Sequence, residues 1–132
     1  MIATLTRLAP HILSLLRIAS ALLLLQHGTT KVLGFPATQM TGVDLTSPPG
    51  IAGIIELVGG ALLLVGLFSR PVAFILSGMT AVAYFMVHAP QNFFPLVNGG
   101  ELAALYCFVF LYLTFAGPGP WSVDALRGGE RA

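Results

Sequence analysis

The chain has 132 residues, 56% of them hydrophobic and only 8% charged, with a formal net charge of +1 and a mean hydropathy of +0.89. A water-soluble domain carries about 25% charged residues, so the composition excludes an ordinary soluble protein and points into a bilayer. The near-neutral balance, without a basic patch or arm, excludes a nucleic-acid binder. One cysteine, Cys107, leaves neither an internal disulfide nor a Cys-rich metal motif.

A bilayer core about 30 Å thick needs roughly 20 helical residues to cross it, and four segments qualify. The first is about 10–33. Pro10 suits a first helical turn, and Gly34 with Pro36 ends it. Arg7 before an apolar run has the look of a signal peptide. Arg17 interrupts that run, however, and Gln26-His27-Gly28 stands where small residues would mark cleavage, so we expect an uncleaved first membrane helix. The second segment is about 50–68, opened by Pro48-Pro49, and the third about 71–88, closed by Pro90. The fourth is about 99–115, stopped by Gly117-Pro118-Gly119-Pro120, with an earlier start near Phe94 if the Pro95 region lies in the interface. The expected fold is an all-α bundle of four transmembrane helices, one domain over 1–132. The short Ser69-Arg70-Pro71 connection makes helices two and three antiparallel neighbours.

Basic residues give the orientation. Arg7 lies in the N-terminal arm, Arg70 in the hairpin, and Arg127 and Arg131 in the tail. An even number of spans puts all of these on one side, which the positive-inside rule makes the cytoplasm. Both termini are therefore expected there, in a bacterial inner membrane.

The polar residues form stripes. Arg17, Ser20, Leu24, His27 and Lys31 share one face of the first helix at steps of three and four. Gly53, Glu56 and Gly60 do so on the second, with Gly59 alongside; Ser77, Ala81, Tyr84 and His88 on the third; Glu101, Leu105, Phe108 and Tyr112 on the fourth. At 1.5 Å per residue, His27 and Glu56 fall about 10 Å from the outer ends of their helices, and His88 and Glu101 fall at that side. Ionisable groups in a membrane are costly and are functional candidates by default. We therefore expect an outward-opening polar pocket in which Glu56 pairs with Lys31 or His27, and Glu101 with His88 or Lys31. His27, Glu56, His88 and Glu101 are the candidate catalytic, proton-exchanging groups. Arg17, Lys31, Tyr84 and Tyr112 are the candidate substrate contacts. Each has a structural counter-reading: a register-fixing ion pair for Glu56, a solvated helix end for His88, a helix-dipole charge for Glu101, packing for the tyrosines, and carbonyl binding or snorkelling for Arg17. No two of the acids and histidines have the spacing of a bundle metal site, and no haem, flavin or metal motif is seen.

The blocks R-I-A-S-A-L-L-L-L-Q-H-G-T-T-K at 17–31 and E-L-V-G-G-A-L-L-L-V-G-L-F-S-R-P at 56–71, with His88, Glu101 and G-P-G-P-W-S-V-D at 117–124, resemble the DoxX family of small four-helix membrane proteins. Pro120-Trp121 departs from the basic residue and Tyr that the family often carries there. The family takes its name from a subunit of a thiosulfate:quinone oxidoreductase, so the resemblance implies a quinone-linked redox role, in which the chain is an oxidoreductase or the membrane subunit of a complex. A quinone would be substrate or bound ligand, and a redox partner protein, a bound thiol or sulfur donor, or another quinol the electron source. The bilayer surrounds the chain, and a homo-oligomer is open to it. Two other functions fit the same residues: a non-catalytic lipid- or partner-binding assembly protein, and a small proton-coupled transporter.

Overall fold

The computed structural model describes residues 1–128; Arg131, counted above among the tail's basic groups, lies outside the described residues. Among these there is no strand. Six helices follow in order: α1 (Ile2–Leu33), α2 (Pro48–Val65), α3 (Ser69–Ala83), α4 (Pro95–Asn98), α5 (Glu101–Ala116) and α6 (Val123–Leu126). A π-helical turn, Tyr84–His88, continues α3. Three helical stretches, α1, α2 and Ser69–His88, are long and apolar enough to cross a membrane, and α5 is a shorter apolar helix.

The helix ends follow local chemistry. Gly34 (φ 75°) and Gly66 (φ 73°) take the left-handed conformation that closes α1 and α2. Ser47 caps α2, its side chain accepting from the Gly50 amide, with prolines in the first turn. Gly99 (φ 73°) separates α4 from α5. The first helix starts eight residues before the expected Pro10. Pro10 therefore lies inside α1, where it removes one backbone donor. Residues 1–10 are all exposed, so the unpaired carbonyl there can be solvated.

The bundle is built from two tight pairs, α1 on α2 and α3 on α5. The two pairs meet mainly between α2 and α3, and α1 touches α5 only lightly. Glycine sets the first pair's spacing. A Cβ on Gly28 would lie 2.5 Å from the Leu57 amide nitrogen, and one on Gly53 would lie 2.8 Å from the Lys31 Cβ. The backbones approach closely because nothing stands between them. The second pair is pinned by Ser77, which donates to the Cys107 carbonyl at 2.8 Å. The apolar core includes Leu24, Leu63, Leu76, Tyr106, Phe110 and Leu113.

One stripe is corrected. The face of the last apolar helix expected to point inward is the exposed one: Leu105, Phe108 and Tyr112 are 62%, 68% and 58% exposed, and Glu101 is exposed too. The opposite face, Tyr106, Phe110 and Leu113, is buried. Glu101 begins the helix and sits in its first turn. There a carboxylate is favoured by the free amides and does not need the bundle interior.

The tail folds back against the start of the bundle. The Asp124 carboxylate accepts from the Phe68 and Ser69 amides, both at 2.9 Å. It thereby caps the N-terminus of α3, whose own sequence supplies no side-chain cap. The Asp124 amide donates to the Gly66 carbonyl at 2.9 Å, and His11 of α1 meets Trp121 edge-on at 5.2 Å. The N-terminal part of α1, the α2–α3 turn and the tail thus share one end, the tail end. The 34–47 and 89–94 connections share the other, the loop end.

Candidate functional site

The expected pairing of α1 with α2 forms. Lys31 Nζ donates to both Glu56 oxygens, at 2.8 and 3.0 Å, and the two side chains are only 11% and 9% exposed. The geometry follows from sequence. Lys31 is one turn beyond His27 on the same face, and its stem lies across Gly53, where any other residue would block it. His27 lies within electrostatic reach of Glu56. An ion pair this far from water is held by its own Coulomb attraction and its hydrogen bonds, against a substantial desolvation cost.

The last apolar helix contributes here through Tyr106 rather than through the expected Glu101. Tyr106 of α5 is 6% exposed. Its ring stacks on Phe110 at 5.3 Å and 5° and meets the His27 ring edge-on at 6.4 Å and 87°. It also lies within electrostatic reach of Glu56. Its buried hydroxyl has no hydrogen-bond partner among the described residues. The only signal for it in the sequence was its place on the face opposite Glu101. The candidate site is therefore Lys31, His27, Glu56 and Tyr106, drawn from α1, α2 and α5 towards the loop end.

The other expected members lie elsewhere. His88 Nδ1 is 3.0 Å from the Asn98 carbonyl. Asn98, 4% exposed, donates to the Asn92 carbonyl at 2.9 Å and to the Tyr84 hydroxyl at 3.2 Å, and accepts from the Gly100 amide at 2.7 Å. His88 and Tyr84 thus belong to a hydrogen-bonded knot that ties the 89–100 connection to the end of α3. Gly100 is required there, since a Cβ would meet both side chains at 2.7 Å. Asn98 was missed, although Asn-Gly-Gly before an apolar run signals a turn. Glu101 lines an open depression with Pro95, Leu96, Gly99, Leu102 and Leu105. Its expected pairing with His88 is replaced by the Asn98 carbonyl, and that with Lys31 by Glu56. No group of three His, Cys, Asp or Glu residues able to hold a metal occurs among the described residues.

Arg17 is 1% exposed and lies fourteen residues, about 21 Å, below Lys31. Of its expected roles, carbonyl binding is the one observed. It donates to the carbonyls of Trp121 (2.6 Å), Leu64 (3.4 Å) and Pro118, beside Ser14, whose hydroxyl accepts from the Trp121 amide at 3.1 Å. It seals the tail end, away from the Lys31–Glu56 layer.

Apolar helices around a buried ion pair define the class: a helical integral membrane protein. The chain belongs to the DoxX family, whose model matches residues 12–89. It is 46% identical over 120 residues to an uncharacterised protein of Haemophilus influenzae, covering 87% of this chain and 90% of the relative. It is 29% identical over 116 residues to the inner membrane protein YqjF of Escherichia coli, covering 83% and 87%. No solved structure matches. Family, relative and apolar helices together make the chain an integral protein of the bacterial inner membrane.

Proposed function

We propose that the chain is the membrane-embedded part of a quinone-linked redox system, holding the quinone head near the Lys31–Glu56 layer. The observation that carries this reading is that ion pair. It is about nine-tenths buried between apolar helices, with His27 within electrostatic reach. Reduction of a quinone to a quinol takes two electrons and two protons. His27 and Glu56 are the groups here that can pass protons, and Lys31 places positive charge where a reduced oxygen gathers negative charge. The electrons come from outside the chain: a redox partner protein, a bound thiol or sulfur donor, or another quinol.

The same reading has the chain crossing the bilayer four times, with both termini in the cytoplasm. The tail end carries Arg7, Arg70 and Arg127, which supports its cytoplasmic placement. The 16 residues of α5 span about 24 Å. The short α4 helix before it brings the stretch close to the thickness of the hydrocarbon, and a small mismatch is tolerated.

The test compares quinone binding by the wild type and Glu56→Gln in detergent. Binding weakened at least tenfold, with folded yield retained, supports the reading, and equal binding by both removes Glu56 from the site. A second reading, a non-catalytic assembly protein, is favoured by one observation: Lys31 engages both Glu56 oxygens, as a register-fixing pair would. A collapse of folded yield in Glu56→Gln selects it.

A further inference from the structure

The hydroxyl of Tyr106 is the one fully buried side-chain polar atom of the Lys31 layer that has no hydrogen-bond partner among the described residues. A buried hydroxyl without a hydrogen bond is costly, and native proteins rarely keep one without a reason. Its ring is fixed by Phe110 on one side and the His27 edge on the other. Both oxygens of the nearby carboxylate, Glu56, are taken by Lys31. Tyr106 and His27 also face each other across the lightly packed α1–α5 seam.

We propose that the Tyr106 hydroxyl is a ligand-binding group that donates a hydrogen bond to the carbonyl oxygen of a neutral, apolar molecule entering the seam from the bilayer. The chemistry selects a carbonyl. A ligand that reaches Tyr106 from the lipid is uncharged. A ligand hydroxyl would bring a donor of its own that needs a second acceptor. A ketone or ester oxygen accepts from Tyr106 and asks for nothing back. Two membrane molecules carry such a group, a quinone head and the acyl ester of a phospholipid. The quinone form rests on the function proposed above, and the ester form does not.

The experiment is native mass spectrometry of the full-length wild type and Tyr106→Phe, each incubated with a short-chain prenylated benzoquinone or with phosphatidylglycerol, alongside thermal unfolding without added ligand. Tyr106→Phe removes a single oxygen. The expected result is at least tenfold weaker retention of one ligand by the variant, with unfolding unchanged or shifted upward because an unpaired buried hydroxyl is gone. Loss confined to the benzoquinone supports both this site and the quinone-linked function. Loss confined to phosphatidylglycerol supports the site with the ester as its ligand and overturns the quinone form of it, while the quinone-linked function is then decided by Glu56→Gln. Equal retention of both ligands by the two proteins overturns the inference, whatever Glu56→Gln does. A downward shift in unfolding with no change in retention also overturns it, since the hydroxyl then serves the fold.

Discussion

Lys31 and Glu56 stand 25 positions apart and meet through two hydrogen bonds of 2.8 and 3.0 Å, at a depth where either charge alone would be strongly disfavoured. Removing one partner leaves the other buried and uncompensated, which costs about 3–5 kcal/mol, whereas replacing both with apolar residues is often neutral. Lys31→Met and Glu56→Leu singly are therefore expected to lower the unfolding temperature sharply, and the double variant to recover most of the loss. Unfolding in detergent, followed by circular dichroism over the full cycle, measures the coupling. Additive losses would mean that the two side chains act independently.

The pair forms only because α1 and α2 approach at Gly28 and Gly53. A methyl at position 28 would press on the Leu57 backbone at 2.5–2.8 Å, and backbone cannot swing aside as a side chain can. Gly28→Ala is expected to cost about 1–3 kcal/mol, as overpacking does, and to weaken the ion pair one turn away. Gly78, in α3, has nothing within 4 Å of the same added carbon. Gly78→Ala is expected to be neutral or stabilising, because alanine is the better helix former. Comparable losses in the two variants would show that close approach is not what position 28 provides.

Much of this arrangement was legible in the sequence, because in a membrane bundle polarity marks the inward face. The stripes through Arg17 and Lys31, through Glu56 and its glycines, and through Ser77 gather most of the polar residues of their spans, and each faces another helix. The last apolar helix lacks that contrast. It is apolar all round, and Glu101, the one charge that suggested a face, sits at its first residue, where the helix end satisfies it. Tyr106 was therefore hidden behind the wrong stripe. The tail was hidden for another reason. Ser122 announces its own short helix by capping it, but nothing local shows that Asp124 caps a different helix 55 residues earlier.

That cap makes a prediction about acid. Burial alone would raise the Asp124 carboxyl. The Ser69 and Phe68 hydrogen bonds and the Arg127 charge outweigh it and hold the group below its ordinary value. A folded value below the unfolded one, about 3.9, means the stabilisation is present above that pH and fades as pH falls through the folded value. Asp124→Asn is expected to lose about 0.5–2 kcal/mol near neutral pH, the range for a lost helix cap, and to give a flatter stability profile below about pH 4. Parallel profiles for the two proteins would show that the carboxylate charge plays no part.

Arg17 holds the same tail by a different means. Its planar guanidinium reaches the Pro118, Trp121 and Leu64 carbonyls together, which a lysine ammonium, a compact point charge, does not reproduce. Arg17→Lys is expected to release the tail, measured as faster proteolysis near Trp121, and to cost about 1.5–3 kcal/mol for each charged hydrogen bond lost. Quinone binding should change little, because the Lys31 layer is about 21 Å away along α1. A loss of binding as large as that in Glu56→Gln, with the tail still protected, would place Arg17 at the ligand after all.

The orientation of the bundle can be read from one loop residue. Asp44 is exposed and held in a turn by its bonds to the Thr46 amide and hydroxyl, at 2.9 and 2.8 Å, in the connection that closes the loop end. If the tail end, with Arg7, Arg70 and Arg127, faces the cytoplasm, Asp44 faces the periplasm. Asp44→Cys is then expected to react with a membrane-impermeant thiol reagent in cells whose outer membrane alone is opened, and Arg127→Cys only after the inner membrane is breached. The native Cys107, partly buried in α5, supplies the background, measured on the wild type. The reverse pattern would invert the protein and place the Lys31–Glu56 layer in the cytoplasmic half, so that protons would be exchanged with the cytoplasm.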